Sequence, residues 1–161
     1  MSTEQDPKRI KLRAGELSFD GLESGSGEPI LLFLHYWGGS ARTWNGVMQQ
    51  LSTGFRCISY SYRGWSGSDA PIEGYALLDL AHDTEEIICA LGLTSYVLVG
   101  HSMGGKISQL LASQHPAGLE KLILVAPAAP TPQHIPEFAK EAQLHAYDPR
   151  IAVVSAVRRM V

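Results

Sequence analysis

No apolar run in this chain approaches the ~20 residues that a membrane-spanning helix needs, so a spanning protein is excluded. Positive charge is not in excess: 13 Lys and Arg stand against 16 Asp and Glu, a net charge of −3. Nothing here is built to neutralise phosphates or anionic headgroups, which argues against nucleic acid and membrane as partners. Cysteine is scarce. Cys57 and Cys89 are the only two, without metal-type spacing. Both fall in apolar patterns, where packing is the expected role, and a reducing, cytoplasmic setting fits them. The polar and charged start, Met1 to Arg13, is unlike a signal peptide. Repeats and low-complexity blocks are absent. What remains is 161 residues, 45% hydrophobic and 18% charged, the composition of a soluble globular protein with a real core.

The most informative stretch is Tyr96 to Lys106. Tyr96-Val97-Leu98-Val99 suits a buried parallel strand, and a helical pattern begins just after Ser102. Between them stands Gly-x-Ser-x-Gly: Gly100, Ser102 and Gly104. In a strand–turn–helix of this kind the serine occupies the tip of a sharp turn with its hydroxyl off the sheet edge. The flanking glycines relieve crowding against the neighbouring strand and helix. The helix N-terminus adds N–H groups and a positive dipole end, which suit a developing oxyanion. A second pattern overlaps the first. Gly100 to Lys106 also satisfies Gly-x-x-x-x-Gly-Lys, the start of a P-loop. A P-loop places Ser or Thr next to hold magnesium, and Ile107 has no oxygen to offer. A strand–helix turn that merely contains a serine is the plainest alternative.

On the elbow around Ser102 the chain resembles the α/β-hydrolases, serine hydrolases with a nucleophile elbow, and three further stretches follow their order. The resemblance implies an α/β fold: a mostly parallel sheet with helices on both faces, here incomplete. Ile30 to Leu34 reads as a buried strand, followed by His35-Tyr36-Trp37-Gly38-Gly39-Ser40. The family carries His-Gly-x at this point, and the residue after the pair gives a backbone N–H to the oxyanion hole. That implies Trp37 and Met103 as the two donors, with Tyr36 departing from the family's Gly. Tyrosine tolerates an unusual backbone poorly, so a disturbed hole is expected there. His35 reads as a structural histidine bracing the loop, because a base before the serine would break the family's chain order. Ser61 to Asp69 is similar to the family's Asp-x-Arg-Gly-x-Gly-x-Ser. Arg63, Gly64 and Ser68 match, whereas Ser61 and Ser66 do not. Arg63 is expected to hydrogen-bond nearby carbonyls or to be a surface charge.

The remaining elements follow from periodicity. Residues 1–8 read as unstructured, and Arg9 to Ala14 with Glu16 to Leu22 as two antiparallel strands. Ser40 can cap a helix whose apolar face is Trp44, Val47, Met48 and Leu51. Cys57 to Tyr60 is a strand. Tyr75 to Leu91 is a helix that Gly92 stops, its acids Asp83, Glu85 and Glu86 forming a solvated face. A helix follows Ser102 until Pro116, and Lys121 to Ala126 is a further strand. Residues 1–130 are thus expected to be the first part of a hydrolase core. Residues 131–161 are expected to begin a helical cap: one helix from Pro136 to Tyr147, a second capped by Asp148.

A serine needs a base, and the family supplies Asp or Glu and then His after it. After Ser102 the histidines are His115, His134 and His145, none on a loop beyond a later strand. General base and acid are therefore expected to be missing, and the pattern running out at Val161 reads as a truncation. The resemblance implies hydrolysis of a small ester or acyl substrate through an acyl-enzyme on Ser102, without metal or organic cofactor. This chain alone is expected to be inactive. The alternative is a catalytically inactive fragment or a small-molecule-binding relative. Haloalkane dehalogenases are disfavoured, since they place Asp where Ser102 stands.

Overall fold

Alternation decides which residues of a strand meet which layer, and in this chain both layers are covered. The computed structural model describes residues 6–132 and 134–144. The chain divides into two units, residues 1–130 and 131–161. In the first, strands β1 (Lys8–Ala14), β2 (Leu17–Ser24), β3 (Ile30–Leu34), β4 (Cys57–Tyr60), β5 (Tyr96–His101) and β6 (Leu119–Val125) form one sheet in the order β1-β2-β4-β3-β5-β6. β1 and β2 form an antiparallel hairpin, and β2 runs antiparallel to β4. β4, β3, β5 and β6 are mutually parallel.

Successive strand residues point to opposite faces. Leu32, Leu34, Ile58 and Leu98 face one layer, packed with Leu80 and Ile87 of α2 (Leu77–Ala90) and Ile107 and Leu111 of α3 (Met103–Ser113). Leu31, Phe33, Val97 and Val99 face the other, packed with Trp44 of a 3-10 turn (Ala41–Trp44) and Met48 of α1 (Asn45–Leu51). Burial on both faces explains why these strands read as continuous apolar runs. The second unit contains α4 (Glu137–Leu144) among its described residues.

Several expectations need correction. Lys8, read as unstructured, is the first residue of β1 and pairs with Glu23. Val47 is exposed, and the apolar face of α1 narrows to Trp44, Met48 and the half-buried Leu51. Helix α2 starts two residues later than expected, because the Asp79 carboxylate accepts the Ala76 N–H at 2.8 Å and fixes the first turn. Cys57 is buried but Cys89 is exposed, so packing explains only the first. Asp83 is not on a solvated face. It is 3% exposed and forked to Arg63, with Nε to Oδ2 at 2.7 Å and Nη2 to Oδ1 at 2.5 Å. Arg63 therefore binds a carboxylate rather than carbonyls, and ties the loop after β4 to α2. The second cap helix, with its cap Asp148, and His145 lie outside the described residues.

Candidate active site

The site is assembled at the C-terminal ends of β3 and β5, which lie side by side with Leu34 opposite Gly100. Ligands bind at this edge of a parallel sheet because strands end there and helix N-termini begin. β5 runs into Ser102, and α3 leaves from Met103. Ser102 has φ 53° and ψ −112°, a region that residues with a Cβ rarely occupy. Two backbone bonds hold it there. Its N–H donates to Val125 O at 3.2 Å, and its carbonyl accepts the Ala128 N–H at 2.9 Å. The neighbouring strand end thus clamps the turn from both sides. The Ser102 hydroxyl does not cap its own helix.

The glycines are required by close approach. A Cβ on Gly100 would lie 2.5 Å from Gly104 O and from Ser108 Oγ, inside the first turn of α3. A Cβ on Gly104 would lie 2.6 Å from His35 O and would also strike Leu34 O. That second contact brings the start of α3 directly against the end of β3. Met103 is the first residue of that helix, whose first-turn N–H groups have no intrahelical acceptor. The P-loop alternative does not survive. Gly100 lies within a strand, Gly104 and Gly105 lie within a helix, and Ile107 is fully buried. No open loop of N–H groups exists there to cradle a phosphate.

The loop after β3 is braced by His35, as its structural reading expects. The ring is fully buried. Nε2 accepts the Tyr62 N–H at 3.3 Å, which leaves the proton on Nδ1 to be donated to Tyr36 O at 2.7 Å. The Tyr62 hydroxyl donates to His35 O at 3.0 Å, and the two rings meet tilted by 38° with centroids 4.1 Å apart. Burial lowers the His35 pKa to about 4, the bond to Tyr36 O opposing this in part. It is neutral at pH 7 and removed from Ser102 chemistry. The unmatched Ser61 has a local use: its hydroxyl accepts the Ala41 N–H at 3.0 Å, anchoring the 3-10 turn.

Tyr36 does not carry the strain expected of it. The turn closes through a Gly39 N–H to Tyr36 O bond at 3.0 Å, and the positive φ of 81° falls on Gly38. Tyr36 keeps an ordinary backbone, and Trp37 occupies the second position of that turn. Both side chains are 39% exposed. The Tyr36 ring meets the His101 ring edge-on at 5.2 Å, and His101 in turn faces Trp44 at 6.3 Å. This ring cluster beside Ser102 was missed from the sequence; its one local signal is an aromatic residue directly before the serine. The elbow and the loop that carries Trp37 are thus brought to one edge. His115 follows α3 at its far end, and His134 lies in the second unit. No group of three His, Cys, Asp or Glu side chains able to hold a metal is found among the described residues. No helix among them is long and apolar enough to cross a membrane.

Residues 29–149 match the family defined by the alpha/beta hydrolase fold. The chain belongs to the α/β-hydrolase family. An AB hydrolase superfamily protein of Bacillus subtilis, YisY, is 40% identical over 66% of this chain and 40% of its own length. Epoxide hydrolase 3 of Xenopus tropicalis is 30% identical over 84% of this chain and 38% of its own. Among solved structures, a membrane phospholipase A described as a bacterial virulence factor superposes with a TM-score of 0.75 at 26% identity, over 81% of this chain and 43% of that one. The chain spans about two fifths of the length of the curated relatives it matches.

Proposed function

We propose that this chain carries the nucleophile and oxyanion donors of a serine hydrolase that cleaves small ester or related acyl substrates. One observation carries the reading: Ser102 is held at φ 53° on a clamped strand–helix turn. Backbone strain of about 1–3 kcal/mol persists only where the surroundings over-determine it, and such sites cluster at reacting centres. Ser102 Oγ would attack the acyl carbon, and the N–H groups of Met103 and Trp37 would receive the developing oxyanion. Collapse expels the leaving alcohol, and water then releases the acid.

The epoxide hydrolase and phospholipase relatives point to two bond classes, and the serine chooses between them. Attack of a serine oxygen on an epoxide carbon forms an ether, which water does not cleave. Attack on an acyl carbon forms an ester, which water does cleave. The acyl reading therefore follows from the residue at position 102. Hydrolysis also needs a base, and among the described residues no histidine is hydrogen-bonded to Ser102. The base and acid are accordingly assigned to sequence additional to the described residues.

The test is labelling by a fluorophosphonate, which reports an activated serine. The 161-residue chain is expected to stay unlabelled. A chain extended to the length of its relatives is expected to be labelled, and Ser102→Ala to abolish this. Labelling of the extended chain that survives Ser102→Ala would end the proposal. Rapid labelling of the short chain, lost in Ser102→Ala, would instead make His134 or His145 the base.

A further inference from the structure

The chain leaving β6 forms a strap across the elbow. Its first bond runs from the Ser102 N–H to Val125 O, and its second from the Ala128 N–H to Ser102 O. Between them the chain turns back through Ala126, at φ 41°, and Pro127. The strap is not held by its own conformation. A φ of 41° is unfavourable for a residue with a Cβ, and Pro127 has no N–H to donate. Burial does not hold it either, since Val125, Ala126 and Pro127 are all exposed. Nor does Ser102 O depend on the strap for a partner. It already accepts the Lys106 N–H at 3.1 Å, the first bond of α3. The Ala128 N–H is a second donor to the same oxygen, and another contact has to bring it there.

Two residues of α3 supply that contact. Gly105 admits the strap: a Cβ on it would lie 2.7 Å from Pro127 Cβ and 3.0 Å from Pro127 Cα. One turn on, the half-buried Gln109 side chain donates from Nε2 to Ala128 O at 3.2 Å and to Gly105 O at 3.1 Å. Both partners are carbonyl oxygens, which only accept, so the nitrogen end of the amide is the one that faces them. Both of its protons are used. Ala128 is thus gripped at its two polar groups, the N–H by Ser102 and the carbonyl by Gln109.

We propose that Gln109 is a positioning residue for the Ser102 nucleophile, a role that rests on the serine-hydrolase reading of that residue. By holding Ala128 it holds the Ser102 carbonyl, and with it the strained turn that aims the hydroxyl. Gln109 touches neither substrate nor reacting atoms and acts through one backbone link. Without its donor the backbone bonds of α3 remain, but Ala128 O turns to water and the Ala128 N–H leaves Ser102 O. The φ of 53° at Ser102 then loses one of its two strand-side bonds.

Gln109→Met keeps the side-chain length and helix propensity and removes the donor. Gln109→Glu keeps the shape and sets a carboxylate against the same two carbonyls. Two measurements separate the strap from the chemistry. In the 161-residue chain, hydrogen exchange at the Ala128 amide is expected to quicken about tenfold in both variants, the equivalent of one lost hydrogen bond, while the Leu98 amide of β5 keeps its rate. In a chain extended to the length of its relatives, the maximal rate of fluorophosphonate labelling at Ser102 is expected to fall about tenfold, with the half-saturating concentration unchanged. Labelling is measured well below each variant's unfolding temperature, so that a loss of stability alone does not slow it. Maximal rates equal to that of the unaltered extended chain would overturn the proposal and leave the serine-hydrolase reading standing, even with faster exchange at Ala128, which would then mark a structural tie only. An unaltered extended chain that is not labelled at Ser102 would overturn that reading, and the role of Gln109 with it.

Discussion

Acid should unfasten this chain at His35 before it reaches most of the carboxylates. In the folded state the imidazole is fully buried and uses Nε2 as an acceptor for the Tyr62 N–H. A proton on Nε2 would set two N–H groups against each other inside the core. Burial of the ring lowers its pKa from 6.5 to about 4, the bond to Tyr36 O opposing this in part. Below pH 6.5 the unfolded chain takes up a proton that the folded chain refuses, so stability falls as pH falls. The contribution is fully present above pH 6.5 and is lost progressively down to about 4. Each unit is worth about 1.36 kcal/mol, so the loss approaches 3 kcal/mol near pH 4. That is a large share of the ~5–15 kcal/mol typical of a domain. Urea unfolding of the 161-residue chain at a series of pH values measures it, with His35→Gln as reference. Glutamine can accept from Tyr62 but does not titrate, so wild type should lose stability relative to it between pH 7 and 4. A constant difference over that range would refute the argument. A direct check needs no variant: the His35 ring resonances should stay those of a neutral imidazole at pH 5.

Other consequences follow from single contacts. Arg63→Met leaves the buried Asp83 carboxylate without its fork and should cost about 3–5 kcal/mol in denaturant unfolding, whereas Arg63→Met with Asp83→Leu should recover most of it; a single-variant cost below ~1 kcal/mol would contradict the buried pair. Gly104→Ala drives a methyl group onto the Leu34 and His35 carbonyls and should cost about 3 kcal/mol, a neutral result showing that β3 and α3 are not in contact. Strand β6 is the edge of the sheet among the described residues, and Ile123, Leu124 and Val125 are 46%, 37% and 40% exposed. An apolar edge of this kind invites pairing between chains. The 161-residue chain should self-associate in sedimentation velocity and Ile123→Lys should reduce this, while a monodisperse wild-type monomer would argue against it.

Much of the scaffold was legible because its causes are local. Strand runs such as Ile30–Leu34 and Cys57–Tyr60 are apolar for burial on both faces, and their bounds match the sequence reading residue for residue. The Gly100, Ser102 and Gly104 spacing marks a turn whose sterics admit few other residues, so its place between strand and helix could be read directly. Helix α2 was found for the same reason, although its start was set by the Asp79 side chain rather than by the apolar pattern.

What periodicity cannot contain is the partner of a polar group. Asp83 looks solvated on a helical repeat, and only the fold brings Arg63 to it from a loop twenty residues earlier. The unusual backbone expected at Tyr36 is borne by Gly38, because the turn closes from Tyr36 to Gly39. The lowered pKa of His35 has no signature in sequence at all, since it depends on which atoms the sheet and helices exclude from water. Sequence determined the elements and the strained serine through local sterics and side-chain period. Tertiary structure alone decided the charges and proton positions, because desolvation is a property of neighbours distant along the chain.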